Sequence, residues 1–429
     1  MRLNKLFIAT LLAFSTLALQ SCLKDQEDFF DESSSERMQA VLENTKAVLT
    51  SSDNGWIFDY YPDRNLSYGG CVYVLKFDNK NVSARYEIEP DLVETSSYKL
   101  NTNNGPVLSF DSYNSLLHYF ATPSSGEYQA KDGDFEFMIM NVTEDLITLR
   151  GNRTGNTMYL RRLNEDPDAF VHAIGKIYDT NVLPSANGSV GANAITCKND
   201  INAHYMEFFW GGDNSQSSGE YYLSTSTGIR FKNPVTVNGA TISELNYTFD
   251  DSNKSGAFTG EDSNGNSISL SGVLPETYAF FDEFKGSFTF SYANGAKNVN
   301  CTLVPDKVNG IITISGLNRN YDLIATYNRS LGCMELCGQV VAVTSDSQIL
   351  FMGGTSSSFY AKSSVGFFFI KNPQNPTHYE IMPNNDPYSS KCNNSFVIIE
   401  SADKYYIPPT SYRINGDYNI SNVKAFIKN

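Results

Sequence analysis

The chain has 429 residues, enough for two or three domains that each bury their own core. Its formal net charge of −15 repels phosphate backbones, and no Lys/Arg cluster reverses that charge locally, so nucleic-acid binding is not expected. The aromatic content of 13%, among many Ser, Asn, Gly and Thr residues, favours strands joined by polar turns.

Residues 1–21 have the pattern of a signal peptide. Arg2 and Lys5 give a positive start, and residues 6–19 form an apolar stretch that falls short of the roughly 20 residues of a bilayer span. Leu19-Gln20-Ser21-Cys22 resembles a bacterial lipobox, although Gln20 is looser than the strictest form. The alternative is an ordinary signal peptide that contains a cysteine. We expect Cys22 to be acylated, to begin the mature chain and to anchor it in a membrane.

An acidic segment follows the cysteine. Residues 22–32 form a predicted tether, and Lys24-Asp25-Gln26-Glu27-Asp28 resembles the export signal of lipoproteins displayed on the outer face of the Bacteroidota outer membrane. The alternative is a merely solvated acidic tether. Cell-surface display is the prediction, and no later segment is apolar enough to be transmembrane.

The rest of the chain predicts a mainly β fold in two parts. Residues 33–275 fit an α+β region of antiparallel sheets plus helices, with a weak internal repeat that relates 33–165 to 166–275 and that chance could also produce. Residues 276–429 alternate between apolar and polar side chains, with regular turn signals, and predict an all-β sandwich or barrel.

Helices are predicted at three places in the α+β region. Ser33 and Glu36 fit a capping box before an apolar helical face. Asp166 followed by Pro167 fits an N-cap with proline in the first turn. A short helix is predicted over residues 113–120. Strands are predicted over residues 56–61, 71–77, 83–88, 107–110, 135–140, 146–150, 158–160, 205–210, 220–223, 228–231, 245–249, 285–292, 299–304, 310–315, 323–327, 334–343, 349–352, 366–370 and 396–400.

Six cysteines remain beyond the lipobox, and their spacing does not decide between disulfides and buried free thiols. Cys333 and Cys337 have the spacing of a metal half-site, but four strand residues span about 13 Å and no second pair follows, so structural thiols are favoured. The six are Cys71, Cys197, Cys301, Cys333, Cys337 and Cys392.

No motif predicts a catalytic residue, a metal or a cofactor. The four histidines, at positions 118, 172, 204 and 378, are isolated and form no zinc-peptidase motif. Residues 261–266 carry oxygen ligands at alternate positions but lack the glycine and the acidic closing residue of a calcium loop, so a polar hairpin is predicted. A pair of catalytic carboxylates stays open, since sequence cannot measure the separation of two carboxyl groups.

Trp56 and Trp210 are the candidate ligand-binding residues. Their rings could stack on sugars or on other flat apolar faces, whereas most of the tyrosines and phenylalanines must fill the core of a β-rich protein.

These features together resemble a family of Bacteroidota outer-membrane lipoproteins that carry a domain of unknown function, often beside SusC/SusD-type nutrient-import systems. The resemblance covers about residues 22–275, implies a surface lipoprotein linked to nutrient acquisition, and supplies no catalytic residues. It is carried by the lipobox and tether and by the motifs Ser35-Glu36-Arg37, Asn54-Gly55-Trp56, Tyr60-Tyr61-Pro62, Gly105-Pro106-Val107-Leu108-Ser109-Phe110-Asp111, Leu116-Leu117-His118-Tyr119-Phe120, Asp134-Phe135-Glu136-Phe137 and Leu149-Arg150-Gly151.

The leading functional hypothesis is a non-enzymatic surface lipoprotein that binds a glycan or peptide nutrient or serves an outer-membrane importer. The alternatives are an extracellular hydrolase with a carboxylate pair and a structural or adhesive surface protein. A cleft with two close carboxylates of perturbed pKa would favour the hydrolase, and an aromatic binding surface without such a pair would favour binding.

Overall fold

The computed structural model describes residues 33–103, 105–123, 130–355 and 357–429. The predicted signal peptide, Cys22 and the whole of the acidic tether lie outside these ranges. Within them the fold is mainly β, as predicted: two helices accompany thirty strands, and all the strand pairs are antiparallel. Neither helix combines the length and apolar character needed to cross a bilayer.

The first sheet contains nine strands in the order β4-β3-β2-β1-β9-β8-β7-β6-β5. Strands β4 and β5 lie at opposite edges although only Tyr98 separates them in the chain, so the sheet curls until its edges meet at that corner. Its strands are β1 (Trp56–Tyr60), β2 (Cys71–Phe77), β3 (Asn81–Tyr86), β4 (Glu89–Ser97), β5 (Lys99–Asn101), β6 (Val107–Ser109), β7 (Glu136–Val142), β8 (Leu146–Gly151) and β9 (Thr157–Arg162).

The second sheet is a closed barrel of eight strands that follow one another in chain order, and we call it the second barrel after the number of its sheet. Pairing of β10 with β17, as in Val190 opposite Ile268, closes it and leaves no free edge. Its strands are β10 (Ser185–Val190), β11 (Asn193–Asp200), β12 (Tyr205–Trp210), β13 (Gln216–Ser224), β14 (Gly228–Val237), β15 (Ala240–Asp250), β16 (Ser255–Glu261) and β17 (Ser267–Val273).

The third sheet is also a closed barrel, in the order β18-β19-β20-β21-β22-β25-β26-β30, and the remaining five strands form a smaller sheet beside it. The barrel alternative predicted for the C-terminal part is therefore the one observed. These strands are β18 (Gly286–Tyr292), β19 (Lys297–Asp306), β20 (Ile311–Ser315), β21 (Leu323–Asn328), β22 (Cys333–Cys337), β23 (Gln339–Val343), β24 (Gln348–Gly353), β25 (Gly366–Asn372), β26 (Asn375–Pro383), β27 (Phe396–Ser401), β28 (Tyr405–Tyr406), β29 (Asn419–Ile420) and β30 (Ala425–Lys428).

Both capped helices form as predicted. Helix α1 (Ser34–Thr50) begins with the capping box of Ser33 and Glu36, and it buries Leu42, Thr45 and Leu49. Helix α2 (Pro167–Thr180) begins at Asp166, whose carboxylate accepts a hydrogen bond from the N–H of Ala169.

Helix α2 joins two hydrophobic cores. Phe170, Val171 and Ile174 pack into the core of the first sheet. Ile177, one turn further along, packs into the core of the second barrel. The helix therefore fixes the first sheet against the second, and its last turn lies at their junction.

Two predicted elements were wrong. Residues 113–120 form successive turns. The Asn114 side chain caps the first turn by accepting hydrogen bonds from the N–H groups of Leu116 and Leu117, but the chain then continues with three-residue turn bonds, Tyr119 to Leu116 and Ala121 to His118, instead of a regular helix. The predicted strand 334–343 is two strands of different sheets. At the break, a Cβ on Gly338 would lie 2.6 Å from the carbonyl oxygen of Lys362, so only glycine allows this approach.

All six described cysteines are free thiols, which closes the question that their spacing left open. Five of them are buried, and burial raises the pKa of Cys197, Cys301, Cys333 and Cys337 to about 12 in each case. Thiols held protonated in this way are unreactive, so these residues act as small packing groups.

The three large sheets occupy successive stretches of the chain, with strands over residues 56–162, 185–273 and 286–428, and the smaller sheet lies within the last stretch. The domain limits and the internal repeat proposed from sequence stay predictions.

A buried carboxylate connects the first two sheets. Asp59 of β1 is 1% exposed and pairs with Arg161 of β9 at 2.8 Å and with Arg230 of β14 at 2.6 Å. Asp59 is thus a buried acid that pairs with one cation from each sheet. Separating the sheets would leave its carboxylate buried without one of its cations, which is costly, so the two ion pairs hold the sheets in a fixed relation. We call this group the Asp59 clamp.

Candidate functional site

A cavity lies where the three sheets and the end of helix α2 meet. Its volume is about 440 Å³, within the range of small-molecule sites. The first sheet and its turns contribute Tyr68 and Tyr119 to the wall, and α2 contributes Tyr178. The second barrel contributes His204, and the C-terminal part contributes Arg329. The cavity therefore exists only when all three sheets are docked.

Aromatic rings dominate the wall. Phe281 and Tyr327 contact each other with ring centroids 4.8 Å apart, and Phe280 lies against Tyr278 at 5.3 Å. The rings of Phe280, Phe281 and Tyr327 are only partly buried, so they leave apolar surface open to the cavity. Such a wall favours a ligand with flat apolar surface.

Tyr119 bridges the first sheet to the third. It lies in the turns that replace the predicted helix, and its hydroxyl donates a hydrogen bond to the carbonyl oxygen of Val308 at 2.6 Å. The ammonium of Lys131 lies 3.9 Å from the centre of the same ring, a cation–π contact. Val308 belongs to the β19–β20 loop, which is thereby held against the cavity.

Arg329 crosses the junction in the same way. Its guanidinium carbon lies 3.8 Å from the centre of the Tyr178 ring, and it donates hydrogen bonds to the backbone carbonyl oxygens of Tyr178 and Ile201. A residue that follows β21 thus contacts both the last turn of α2 and the second barrel.

Lys307 lies between two aspartates of the wall. Its Nζ is 2.9 Å from a carboxylate oxygen of Asp179 and 3.2 Å from one of Asp282. Burial raises the pKa of Asp179, and Lys307 opposes that rise. Burial lowers the pKa of Lys307, but the two aspartates outweigh burial and its pKa is raised overall. The group is therefore an ion-paired triad.

His204 is a neutral, buried part of the wall. Its ring stacks on Tyr222 with centroids 5.3 Å apart, and Nδ1 lies 2.8 Å from the carbonyl oxygen of Gly70. Burial, followed by the charge of Arg329, lowers the pKa of His204 to about 4. Nδ1 therefore carries the proton and donates to that carbonyl. Close by, a Cβ on Gly69 would lie 2.4 Å from the His204 Cβ. The turn that contains Gly69 can therefore pack against the turn that contains His204 only because residue 69 has no side chain.

The two candidate tryptophans do not line this cavity. Trp56 is 0% exposed, and its Nε1 donates to the carbonyl oxygen of Leu49 at 2.9 Å, so a structural role rather than ligand stacking accounts for it. Trp210 is partly buried against the core of the second barrel, and its Nε1 donates to Gln216. Cys22, the predicted lipidation site, lies outside the described residues.

The calcium-like segment is a hairpin loop between β16 and β17. Asp262 accepts hydrogen bonds from the side-chain amide and the backbone N–H of Asn266 and from the backbone N–H of Asn264, and these contacts lower its pKa to about 2. Its oxygens are thus already bound by protein donors. Among the described residues, no cluster of three or more His, Cys, Asp or Glu side chains is placed to hold a metal ion.

Sequence reasoning did not identify the cavity residues as a group. Tyr119 and His204 were noticed singly, and Lys307 and Arg329 carry no local motif. The sequence signal closest to the cavity is the aromatic content of 13%, and that signal has no position in the chain.

Comparison with known proteins adds two family matches. The sequence profile described as "Domain of unknown function (DUF4302)" matches residues 26–249, and a second domain of unknown function, DUF4987, matches residues 261–399. No curated protein matches the chain.

Solved structures give only weak similarity. A double mutant of transferrin binding protein B from Haemophilus parasuis Hp5 is 8% identical over 84% of this chain and 67% of that one, with a TM-score of 0.13. The β subunit of DNA polymerase from Streptococcus pyogenes is 12% identical over 79% of this chain and 94% of that one, with a TM-score of 0.11. TM-scores this low transfer neither fold nor function.

Proposed function

The chain belongs to the DUF4302 family, and we propose that it is a binding protein that holds a small ligand in the cavity between its three sheets. The observation that carries this proposal is the cavity itself: about 440 Å³, walled by aromatic rings and by a few polar groups that converge from distant parts of the chain. A glycan or a peptide nutrient is the ligand class that the sequence hypothesis favours.

A hydrolase is the second candidate, because Asp179 and Asp282 both line the cavity. General acid–base catalysis by two carboxyl groups needs one of them protonated and the other ionised. Here Lys307 pairs with both, so each carboxylate already has a cation as its partner in the wall. The triad fits a structural ion pair better than an acid–base pair, and we propose a non-enzymatic role.

A substitution that fills the cavity with a larger side chain tests whether the cavity is the binding site. Val308→Trp places an indole in the cavity wall, and we expect it to weaken binding by at least about 100-fold, because the ligand and the indole compete for one space. Wild-type protein is screened by thermal shift against glycans and short peptides, and calorimetry then measures each binder with the variant.

The matched control is Val343→Trp, on a strand of the smaller sheet where the side chain is 73% exposed. It adds the same indole outside the cavity and should leave the affinity unchanged. If the Val308→Trp protein binds every such compound with the same affinity as the wild type, the proposed site is contradicted. Turnover of a screened compound would favour the hydrolase instead.

We also propose that the protein is a lipoprotein of the outer membrane that faces the cell exterior and serves nutrient acquisition, with a SusC/SusD-type importer as partner. The support is the signal-peptide pattern, the lipobox at Cys22, the acidic tether and the resemblance to Bacteroidota lipoproteins. A pull-down from intact outer membranes would identify such a partner.

The anchor gives a separate prediction. Mass spectrometry of the native protein should show a chain that begins at an acylated Cys22, and Cys22→Ala should release the protein from the membrane fraction, since acyl chains supply the membrane affinity. Cys71→Ala, which removes a buried thiol, is the control and should leave the protein anchored. A native chain with unmodified Cys22 would overturn the proposed anchor.

A further inference from the structure

Three cationic side chains line the cavity: Lys131 lies over the ring of Tyr119, and Lys307 and Arg329 differ in how their charge is compensated. Lys307 has Asp179 and Asp282. Arg329 has two backbone carbonyl oxygens and the face of Tyr178, and among the described residues no carboxylate forms an ion pair with it. The guanidinium has five N–H donors, so these two bonds leave it with donors to spare.

Among the described residues, no carboxylate lies within ion-pair distance of Arg329. His204 is neutral, Asp179 acts on Arg329 only over a longer distance while it pairs with Lys307, and the buried Glu87 likewise interacts with Arg329 without pairing directly. A guanidinium in an aromatic, partly dehydrated wall binds an anion more strongly than one in open water does, because less of its hydration must be displaced. A planar fork of donors also suits carboxylate, sulfonate and phosphate groups.

The apolar part of the wall lies beside this cation. Arg329 is already stacked on one ring, Tyr178, and the partly exposed rings of Phe280, Phe281 and Tyr327 face the same cavity. A flat unsaturated body that lies among these rings would place an acidic substituent within reach of the guanidinium.

We infer that the ligand of this cavity is a small aromatic anion whose acidic group pairs with Arg329 while its rings pack among the aromatic side chains of the wall. The inference rests on the proposed binding site, and it names a ligand class different from the glycan or peptide that the sequence favours. The net charge of −15 works against general anion adsorption, so an anion that binds this protein reports a local site.

Two fluorescent probes with the same ring system test the inference. Anilinonaphthalene sulfonate carries an acidic group, and phenylnaphthylamine is its neutral counterpart. We expect the wild type to bind the sulfonate at one saturable site, about 10-fold or more tighter than the neutral probe. Arg329→Gln should lower the affinity for the sulfonate by about 10–100-fold and change the affinity for the neutral probe by less than about 2-fold.

Controls separate charge from structure. Arg319→Gln removes an exposed arginine that does not line the cavity and should change neither affinity. Arg329→Lys keeps the charge without the fork and should restore part of the sulfonate affinity. If Arg329→Gln weakens both probes equally, Arg329 acts only by holding Tyr178 and Ile201, and the inferred anion pairing is overturned.

The two proposals can fail separately. If the neutral probe binds as tightly as the sulfonate, and Val308→Trp abolishes both, the cavity binds ligands but the anion inference falls. If Val308→Trp leaves both probes bound as in the wild type, the cavity is not the site and the proposed function falls with it. Binding of glucuronate without binding of the aromatic sulfonate would overturn the aromatic part of the inference.

Discussion

Replacing Trp56 with alanine is expected to lower the free energy of unfolding by about 3–5 kcal/mol. The indole is wholly buried at the start of β1, and the substitution leaves a cavity of nearly its full volume. It also removes the hydrogen bond to the Leu49 carbonyl at the end of α1 and the contact with the Arg162 guanidinium, 4.9 Å from the ring. Guanidinium denaturation followed by far-ultraviolet circular dichroism measures the change.

Two variants test this explanation. Trp56→Phe keeps much of the packing but loses the donor, and a cost of about 1–3 kcal/mol would correspond to the unpaired Leu49 carbonyl and the smaller ring. Trp210→Ala removes the partly exposed indole of β12 and should cost about 1–2 kcal/mol, because less apolar area is lost. A Trp56→Ala protein as stable as the wild type would show that the ring is not the core residue described here.

The second large effect is a pH dependence that Glu87 imposes. This residue is 1% exposed, Oε1 accepts a hydrogen bond from the Val72 N–H at 2.9 Å, and Oε2 has no hydrogen-bond partner among the described residues. Burial raises the pKa of Glu87 to about 7, and the Val72 N–H and the charge of Arg329 only partly oppose it.

The sign follows from proton binding. Between pH 4.5 and about 7 the folded state holds a proton on Glu87 that the unfolded state has released, so raising the pH through this window destabilises the fold. The full effect is about 3 kcal/mol above the window and disappears below pH 4.5. Glu87→Gln removes the titration, so its stability relative to the wild type should increase by about 3 kcal/mol between pH 4.5 and pH 8.

Urea denaturation of both proteins across that pH range measures the difference. Glu43→Gln, on the exposed side of α1, is the matched control, and its difference from the wild type should stay nearly constant with pH. A constant difference for Glu87→Gln as well would mean that Glu87 has the same pKa in the folded and unfolded states.

Local sequence patterns predicted many of the helices and strands correctly. The capping box at Ser33 and the Asp166-Pro167 pair have one physical interpretation, and both helices start there. Apolar runs such as Cys71–Phe77 gave strands with correct bounds because both faces are buried. Glu89–Ser97 was missed because its side chains are largely polar and exposed, and its pairing with β3 depends on backbone geometry.

Sheet closure and the cavity could not be predicted in the same way. Val190 meets Ile268 across the closing pair of the second barrel, and nothing in either sequence segment specifies the other. Tyr119 and Arg329 approach the cavity from different sheets, so their proximity depends on docking that no local pattern encodes. The tryptophans were plausible as ligand-stacking residues by type, but only the three-dimensional packing shows that Trp56 is enclosed.

The Asp59 clamp lies outside the cavity lining, yet it would control the measured affinity. A ligand that touches all three sheets binds only molecules in which the sheets are docked, so the apparent dissociation constant rises as the docked fraction falls. Loosening the clamp would thus weaken binding without removing a single ligand contact. By the same linkage, ligand at 100 times its dissociation constant would stabilise the docked state by about 2.7 kcal/mol. The fraction of the protein with ligand bound would therefore determine how often the three sheets separate.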